Sequence, residues 1–582
     1  MATGPGMLTD RIWIDPVENY GEAVVEEICH ELDICQGVAR ILAARDLLTV
    51  AEASDFLNPS PEQLHDPSLF LGMDAAVRRI ERAIDRFEKI VIFGDYDVDG
   101  TASTAILYNY LKRTGARAHY FIPDRMIDGY GLNIPTIDKI KASKAELVIT
   151  VDNGSTAIAE SRYLADQGID LIITDHHQMG QEKPVTVALV NAHQPDCPYP
   201  FKELSATGVA YKVVCALDRR LTERNFWDER GLCHTQPDYY LDLVALATVA
   251  DMSPLVGENR VLVTLGLKLI NERPRPGLAG LIKECNIRFG VSPSTISFKI
   301  APKINALGRI GDPRIGIQML LARSYTEGRR LARYLCTVNR KRQEIERAAL
   351  AGAMKQLEAY PEGAAFVLVG NDWHPGVIGI IATRIAYQYR KPTVVITLAQ
   401  NDLALGSARG CGTMSVLNAL ESCQDLLERY GGHANAAGLA LQPENVGALR
   451  ERFSAAIEEA AALDAGPQAN RIEIETWITP DLLDTRFLSE MTRLSPFGHG
   501  NPEPVVAVRG LNLEQGQVFH NRDLKLSFPG PKSYGDDSAA CRETEWSRQL
   551  SGSYDVALAP QVRYGPDGLR TQLKVLDLRS MA

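Results

Sequence analysis

The chain lacks several features that would fix its class at once. It has ten cysteines in 582 residues, and none form a Cys-x-x-Cys pair. A zinc ribbon or a disulfide framework is therefore excluded as an organising principle, and reduced thiols in a cytoplasmic protein are the expectation. No apolar run approaches the ~20 residues of a membrane helix. The N-terminus, Met1-Ala-Thr-Gly-Pro-Gly-Met-Leu-Thr-Asp10, has neither the basic start nor the apolar core of a secretory leader. Excess basic charge is also absent. Lys and Arg number 62 against 73 Asp and Glu, for a net charge of -11. A protein coated in basic charge is excluded, although a basic groove on an acidic body is not. What remains is ordinary globular chemistry, 45% apolar and 23% charged, in a chain long enough for several domains.

One stretch organises the rest, Lys89-Ile-Val-Ile-Phe-Gly-Asp-Tyr-Asp-Val-Asp-Gly100. Residues 90–93 read as a buried strand. Beyond Gly94, Asp95, Asp97 and Asp99 fall on alternate residues, and a helical pattern begins near Thr101. Crowded carboxylates repel one another unless a cation sits among them, and hard ions such as Mn²⁺ or Mg²⁺ suit them. An EF-hand loop also opens Asp-x-Asp-x-Asp-Gly, but it needs a helix before it and a Glu at position twelve. Here a strand precedes, and the twelfth residue is Ile106. Standing alone, the stretch would read as a solvated acidic turn.

It does not stand alone. A βαβ rhythm follows. The strand 119–122 ends in Pro123-Asp-Arg125, and the strand 146–151 ends in Asp152-Asn-Gly154. The strand 171–174 ends in Asp175-His-His177, and the strand 187–190 ends in Asn191. In open parallel sheets, ligands bind beyond the carboxyl ends of the strands. The almost wholly apolar run 241–250 then delivers Asp251, an acid whose burial is costly unless it is paired or metal-bound. Singly, Asp152 reads as a turn former, Asp251 as a helix terminus, and His176 and His177 as core or surface histidines. Six acids and two histidines, all at the ends of apolar elements in one α/β domain, read instead as a metal centre. Two divalent ions ~3.5–4 Å apart activate water and neutralise a phosphoryl transition state. The reaction class expected is hydrolysis of a phosphate ester, with no nucleophilic Ser or Cys.

In order and spacing, Asp95-Tyr-Asp-Val-Asp-Gly100, Val151-Asp-Asn-Gly154, Asp175-His-His177 and Asp251 resemble the DHH phosphoesterase superfamily. Gly431-Gly-His-Ala-Asn-Ala-Ala-Gly438 resembles the signature of its associated DHHA1 domain. Lys299-Ile-Ala-Pro-Lys-Ile-Asn-Ala-Leu-Gly-Arg309 and Trp373-His-Pro-Gly-Val-Ile-Gly379 are similar to the single-strand DNA exonuclease branch. The resemblance implies two Mn²⁺ or Mg²⁺ ions held by Asp95, Asp97, Asp99, Asp152, His176 and Asp251, with Asp152 as the bridge and Asp95 at the margin. It implies that Asp175 orients His176, that His177 faces the scissile phosphate, and that Asn305 and Arg309 touch substrate phosphate. Arg125, Ser407 and Arg409 would hold a 5′-terminal phosphate, for which a guanidinium fork and a hydroxyl are suited. His433, among glycines, would lie where substrate or backbone approaches closely.

The fold expected is multidomain α/β. Residues 1–74 form a helical lead-in expected to pack on the domain behind it, and 75–324 a parallel-sheet DHH domain. Residues 325–360 form a long connecting helix rich in arginine, with Glu344, Glu346 and Glu358 offsetting part of its charge. Residues 361–465 form the DHHA1 domain. The tail, 466–582, has short strands split by Gly and Pro, and the resemblance implies an OB-like barrel there. Such barrels bind single strands through aromatics and cations, with Phe519, His520, Lys525 and Tyr564 as candidates. The expected activity is metal-dependent 5′-to-3′ hydrolysis of single-stranded DNA to mononucleotides, in recombination and repair. The alternatives are a phosphodiesterase of short oligonucleotides or a small nucleotide, and a non-catalytic nucleic-acid scaffold. A scaffold would have lost ligand acids, and none is missing. The resemblance further implies single-strand-binding protein and a RecQ-type helicase as partners, no membrane association and a monomer.

Overall fold

The computed structural model describes residues 11–16, 19–125, 128–129, 131–359, 363–398, 403–412, 414–463, 471–513, 515–518, 523–527, 538–542, 552–565 and 568–580. The chain divides into two compact units. The first comprises Met1–Ile304, Pro313–Ala332 and Asn470–Ala582, and the second Asn305–Asp312 and Arg333–Ala469.

At the centre of the first unit is a five-stranded sheet in the order Arg117–Phe121, Lys89–Phe93, Leu147–Val151, Asp170–Thr174, Ala188–Val190. All four pairings are parallel. Its three central strands are apolar almost throughout and buried, as a sheet covered on both faces requires. Val91, Phe93, Ile137, Leu171 and Ile173 share one core cluster. Helices Val98–Arg113, Ala206–Glu223 and Leu241–Ala250 pack on one another. The first of them starts at Val98, three residues before the sequence pattern suggests. Asp97 is the reason: its carboxylate accepts the Gly100 N–H at 3.0 Å and caps the first turn. Leu241–Ala250 is buried along its whole length up to Ala250.

The lead-in departs from expectation. Helices Glu22–Leu32, Gln36–Ala44 and Val50–Leu57 do not find their main core in the domain that follows them. Val25, Ile28, Val38, Ile41, Leu42 and Leu57 share a cluster with Ile478, Phe487, Val506, Val556 and Leu578 of the tail. The short strand Ile12–Ile14 also pairs in parallel with Arg471–Glu473. The third helix and the segment after it also meet the DHH region, where Arg260 donates to the Phe56 carbonyl at 2.8 Å and Phe70 stacks on Tyr199 at 3.7 Å. An amphipathic stripe specifies that a face is buried, not against what.

The tail is a seven-stranded sheet in the order Thr476–Ile478, Val506–Leu513, Gly552–Gly565, Gly568–Ser580, Ser538–Arg542, Asp523–Ser527, Gln515–Val518. Among the described residues no pairing joins its two outer strands into a closed barrel. Phe519 and His520 lie outside the described residues, as do the side chains of Lys525 and Tyr564.

In the second unit, Leu427–His433, Ala436–Leu441, Ala404–Arg409, Thr393–Leu398 and Phe366–Gly370 form a mixed sheet in that order. Helix Pro375–Tyr389 shares a core with the last two of these strands. The connecting helix, Tyr325–Ala359, runs from the first unit into the second. Part of its basic charge is paired, Arg342 with Glu346 at 2.8 Å and Arg329 with Glu284 at 2.7 Å. No helix among the described residues is long and apolar enough to cross a membrane.

Candidate metal centre

The strand order reverses around Lys89–Phe93, whose sequence successor Arg117–Phe121 lies on one side and Leu147–Val151 on the other. A crevice at the carboxyl ends is the expected consequence. The chain leaves Lys89–Phe93 through Asp95, Leu147–Val151 through Asp152, and Asp170–Thr174 through Asp175. Asp152 sits at φ +64, a left-handed conformation that Asp tolerates better than most residues. Gly154 follows at φ +112, and a Cβ there would come within 2.8 Å of the Thr150 hydroxyl. This turn therefore needs its glycine.

Three groups of ligand atoms result. Asp95, Asp97 and Asp152 form one, Asp152, His176 and His177 a second, and Asp99, His176 and Asp251 a third. Within each group the atoms lie within 4.8 Å of one another. Asp152 and His176 each belong to two groups, and His176 Nε2 lies 3.3 Å from Asp152 Oδ1 and 3.9 Å from Asp99 Oδ2. Asp95 thus stands with the cluster rather than at its margin.

The electrostatics describe a site built for positive charge. Burial, reinforced by Asp97, pushes the Asp95 carboxyl up to about 8. Burial and the neighbouring Asp97, Asp99 and Asp95 hold Asp152 well above the ordinary carboxylate range. Asp97 is raised by burial and by Asp99. Asp251 is raised to about 7 by burial and by Asp99, and it ends a helix whose dipole also opposes its charge. Asp95 Oδ1 and His176 Nε2 are buried without a hydrogen-bond partner. Buried polar atoms are rarely left so unless an ion or water completes them. Oxygen donors with imidazole suit Mn²⁺ or Mg²⁺.

Around this cluster the structure supplies supports that the sequence pattern does not single out. Asp99 Oδ2 accepts the Ala206 N–H at 2.8 Å, and its Oδ1 accepts the Thr207 N–H at 2.8 Å and the Thr207 hydroxyl at 2.5 Å. The first turn of helix Ala206–Glu223 thus fixes that carboxylate. The signal was present as Ser205, a helix cap that accepts the Gly208 N–H. Ser253 donates to Asp251 Oδ2 at 2.7 Å. Asn191 bonds the His177 carbonyl and the Ser155 hydroxyl.

One expected role is corrected. The ring of His177, not that of His176, is held by Asp175, Nδ1 to Oδ1 at 2.7 Å. Asp175 also receives the backbone N–H groups of Ser155, His176 and His177. Burial alone would raise Asp175, but these donors hold it well below the usual carboxylate range. Burial alone would lower His177, yet Asp175 brings it up to about 9. His176, released from that role, is left to the ligand groups.

Arg125 is exposed, and its guanidinium lies 5.4 Å from the ring centroid of Tyr96, between two of the acids in sequence. The remaining candidates fall in the second unit. There, Ser407 Oγ and Arg409 Nη1 are 2.9 Å apart, and both would crowd a Cβ at Gly379. Arg309 donates to the Gly376 carbonyl at 3.1 Å. Arg309, Ser407 and Arg409 therefore gather at the first turns of helix Pro375–Tyr389. Asn305 lies four residues before Arg309, near the end of helix Ala301–Asn305. His433 is exposed at the end of its strand, opposite Ala436. The close approach expected there belongs to Gly432, at φ +147, whose Cβ would meet the Ala436 carbonyl at 2.3 Å.

Comparison with known proteins follows the same order of domains. The model of the DHH family N-terminal domain matches residues 89–248, and that of the DHHA1 domain matches 362–459. A relative from Dickeya dadantii, named single-stranded-DNA-specific exonuclease RecJ, is 34% identical over 84% of this chain and 85% of its own length. The chain belongs to the RecJ family. The RecJ OB domain model accordingly matches residues 474–575, which assigns the open-edged sheet of the tail. RecJ of Bacillus subtilis is also 34% identical, over 84% of this chain, and the chain spans 61% of that relative's length. Among solved structures, Thermus thermophilus RecJ in complex with Mn²⁺ superposes with a TM-score of 0.77 at 30% identity. That match covers 98% of this chain and 80% of the other. A second structure of the same protein, in complex with Mg²⁺, gives a TM-score of 0.73.

Proposed function

We propose that this chain is a metal-dependent exonuclease that hydrolyses single-stranded DNA from the 5′ end and releases mononucleotides. The observation that carries the reading is the set of three ligand groups linked through Asp152 and His176. It provides for two ions, with Asp95, Asp97, Asp99, Asp152, His176 and Asp251 as ligands. The RecJ relatives are named as single-stranded-DNA-specific exonucleases, and two solved RecJ structures are complexes with Mn²⁺ and Mg²⁺.

When bound, Mn²⁺ or Mg²⁺ would supply the positive charge that neutralises the phosphoryl transition state and eases deprotonation of the attacking water. The protein's own groups do the rest. Asp152 belongs to two ligand groups and would bridge. Asp99, fixed by a helix N-terminus, cannot swing away. His177, whose Nδ1 faces Asp175, would turn its other nitrogen to the phosphate or the leaving oxygen. By the family resemblance, Asn305 and Arg309 would hold phosphate, Ser407 and Arg409 would receive a terminal 5′-phosphate, and Arg125 would bind phosphate in its own unit. Such a pocket selects one strand end. His433 would line the path of the strand. Partners such as single-strand-binding protein or a RecQ-type helicase fit this activity, as do a monomeric chain and the cytoplasm.

The test is direct. The purified chain is given Mn²⁺ and single strands labelled at either end, beside duplex, RNA and a dinucleotide. Mononucleotides released first from the 5′ end of the single strand are the expected result. Preferred digestion of the dinucleotide would point instead to a small-substrate phosphodiesterase, and no cleavage of any substrate would refute the enzyme reading.

A further inference from the structure

Asp251 reaches the metal centre from the end of a helix whose next residues are irregular. Met252 is left-handed, at φ +63, and 67% exposed. Nothing in residues 252–256 forms regular structure that could hold the acid in place. The Met252 and Ser253 N–H groups turn back to the Val249 and Thr248 carbonyls, at 3.4 and 3.2 Å, and residues 254–255 are met by the tail. The Leu255 N–H donates to the His499 carbonyl at 2.7 Å. A Cβ added at Gly498 would lie 2.7 Å from Leu255 Cδ1. One at Gly500, itself at φ +72, would lie 2.6 Å from Pro254 Cβ and 3.1 Å from its Cα. Both glycines of Phe497-Gly-His-Gly500 thus lie against the segment that follows Asp251, Gly498 against the Leu255 side chain and Gly500 against Pro254 and the Leu255 backbone.

The turn that makes these contacts is itself rigid. Gly498 and Asn501 exchange backbone hydrogen bonds at 2.8 and 3.2 Å. Asn501 is 1% exposed and donates to the Leu494 and Pro496 carbonyls. Its side-chain oxygen receives Arg45, which also forms a two-pronged pair with Glu475 at 2.9 and 3.0 Å. On the far side of the loop, Asn259 donates to the Pro254 carbonyl at 3.0 Å. The loop after Asp251 is gripped from both sides, and one side belongs to the OB region.

We propose that the turn 498–501 is a positioning element of the metal centre, holding Asp251 in place through backbone contact with residues 254–255. The OB region then does more than bind a strand: it completes the geometry of a site whose ligands all lie in the DHH region. This rests on the reading of Asp251 as a metal ligand. Groups that orient metal ligands typically govern about 10–100-fold of metal affinity.

The experiment measures Mn²⁺ binding to the full chain by calorimetry without DNA, so that strand contacts cannot enter. Gly498→Ala crowds Leu255 and is expected to weaken Mn²⁺ binding about tenfold, with the circular dichroism spectrum unchanged. Leu255→Ala removes the atoms it meets, so Gly498→Ala with Leu255→Ala is expected to bind more tightly than Gly498→Ala alone. His499→Gly alters only an exposed side chain and slackens the backbone that receives Leu255, and it should weaken binding by a smaller factor. If Gly498→Ala does not fold, His499→Gly decides. In activity assays the same variants should lose kcat rather than gain KM for the strand. Folded variants that bind Mn²⁺ as the parent does would overturn the proposal, as would a loss that relieving the contact fails to recover. A parent chain that binds no Mn²⁺ would instead refute the metal reading beneath it.

Discussion

A carboxyl group buried beside three others, as Asp152 is beside Asp95, Asp97 and Asp99, keeps its charge only if a cation shares the space. The metal-free protein must therefore hold protons where the loaded one holds ions. Asp95 retains its proton to about 8 and Asp251 to about 7 when folded, against 3.8 ordinarily. Between those values the folded state binds more protons than the unfolded state, so stability falls as pH rises. Thermal melting in EDTA should drop from pH 5 to pH 8, and Mn²⁺ should remove most of the drop. A flat profile in EDTA would contradict the crowding. Asp175 makes a second prediction. Asp175→Asn keeps one oxygen for the His176 and His177 N–H groups but sets an amide N–H against that of Ser155 and removes the negative charge beside the His177 ring, and should cost about 10–100-fold in cleavage. Single-turnover rates at saturating Mn²⁺ would measure it. That Asp95, Asp152, His176 and Asp251 lie together was legible in the sequence, because each comes just after the end of an apolar strand or helix. Which of two adjacent histidines meets Asp175 was not, because that depends on the path of the turn after the strand, which residue type does not encode.

At the scale of elements, the first turns of helix Pro375–Tyr389 gather Arg309, Ser407 and Arg409 from two other segments of the second unit. A guanidinium held beside a hydroxyl is a preformed cradle for a terminal phosphate. Arg409→Ala should leave cleavage of unphosphorylated ends nearly unchanged and abolish the preference for phosphorylated 5′ ends. Equal losses on both would remove Arg409 from that role. The strands and helices of this unit were largely readable, since their apolar runs have ordinary lengths and clear stops. The lead-in helices were readable too, but their partner was not. Arg45 meets Glu475 across 430 residues of sequence, and no periodicity reports a contact of that range. The tail reads in sequence as short strands split by Gly and Pro, yet Gly552–Gly565 and Gly568–Ser580 run 14 and 13 residues, and pattern alone reaches only pieces of them.

Across the first unit, the lead-in and the start of the tail meet on the DHH region at Arg260. It is 2% exposed and, among the described residues, makes no salt bridge with a carboxylate. Its guanidinium instead donates to the carbonyls of Phe56, Arg493, Leu494 and Ser495 and stacks 3.7 Å from the Phe56 ring. Burial, with Arg45 nearby, brings its pKa down to about 9. Arg260→Ala would take a donor from the Phe56, Arg493 and Ser495 carbonyls, while Leu494 keeps Asn501, at a cost of about 1–3 kcal/mol for each carbonyl left buried and unsatisfied. Chemical denaturation should show that loss as a lower midpoint, and an unchanged midpoint would show that the ends hold without it. Side chains from four separate points of the DHH region, residues 95–99, 152, 176 and 251, would together hold two divalent cations. Calorimetric titration of the full chain with Mn²⁺, beside Asp152→Ala, tests it most directly. The account predicts two ions bound by the parent and at least one lost in the variant, with its circular dichroism spectrum retained. A parent that binds none, or a variant that binds both as tightly as the parent, would contradict it.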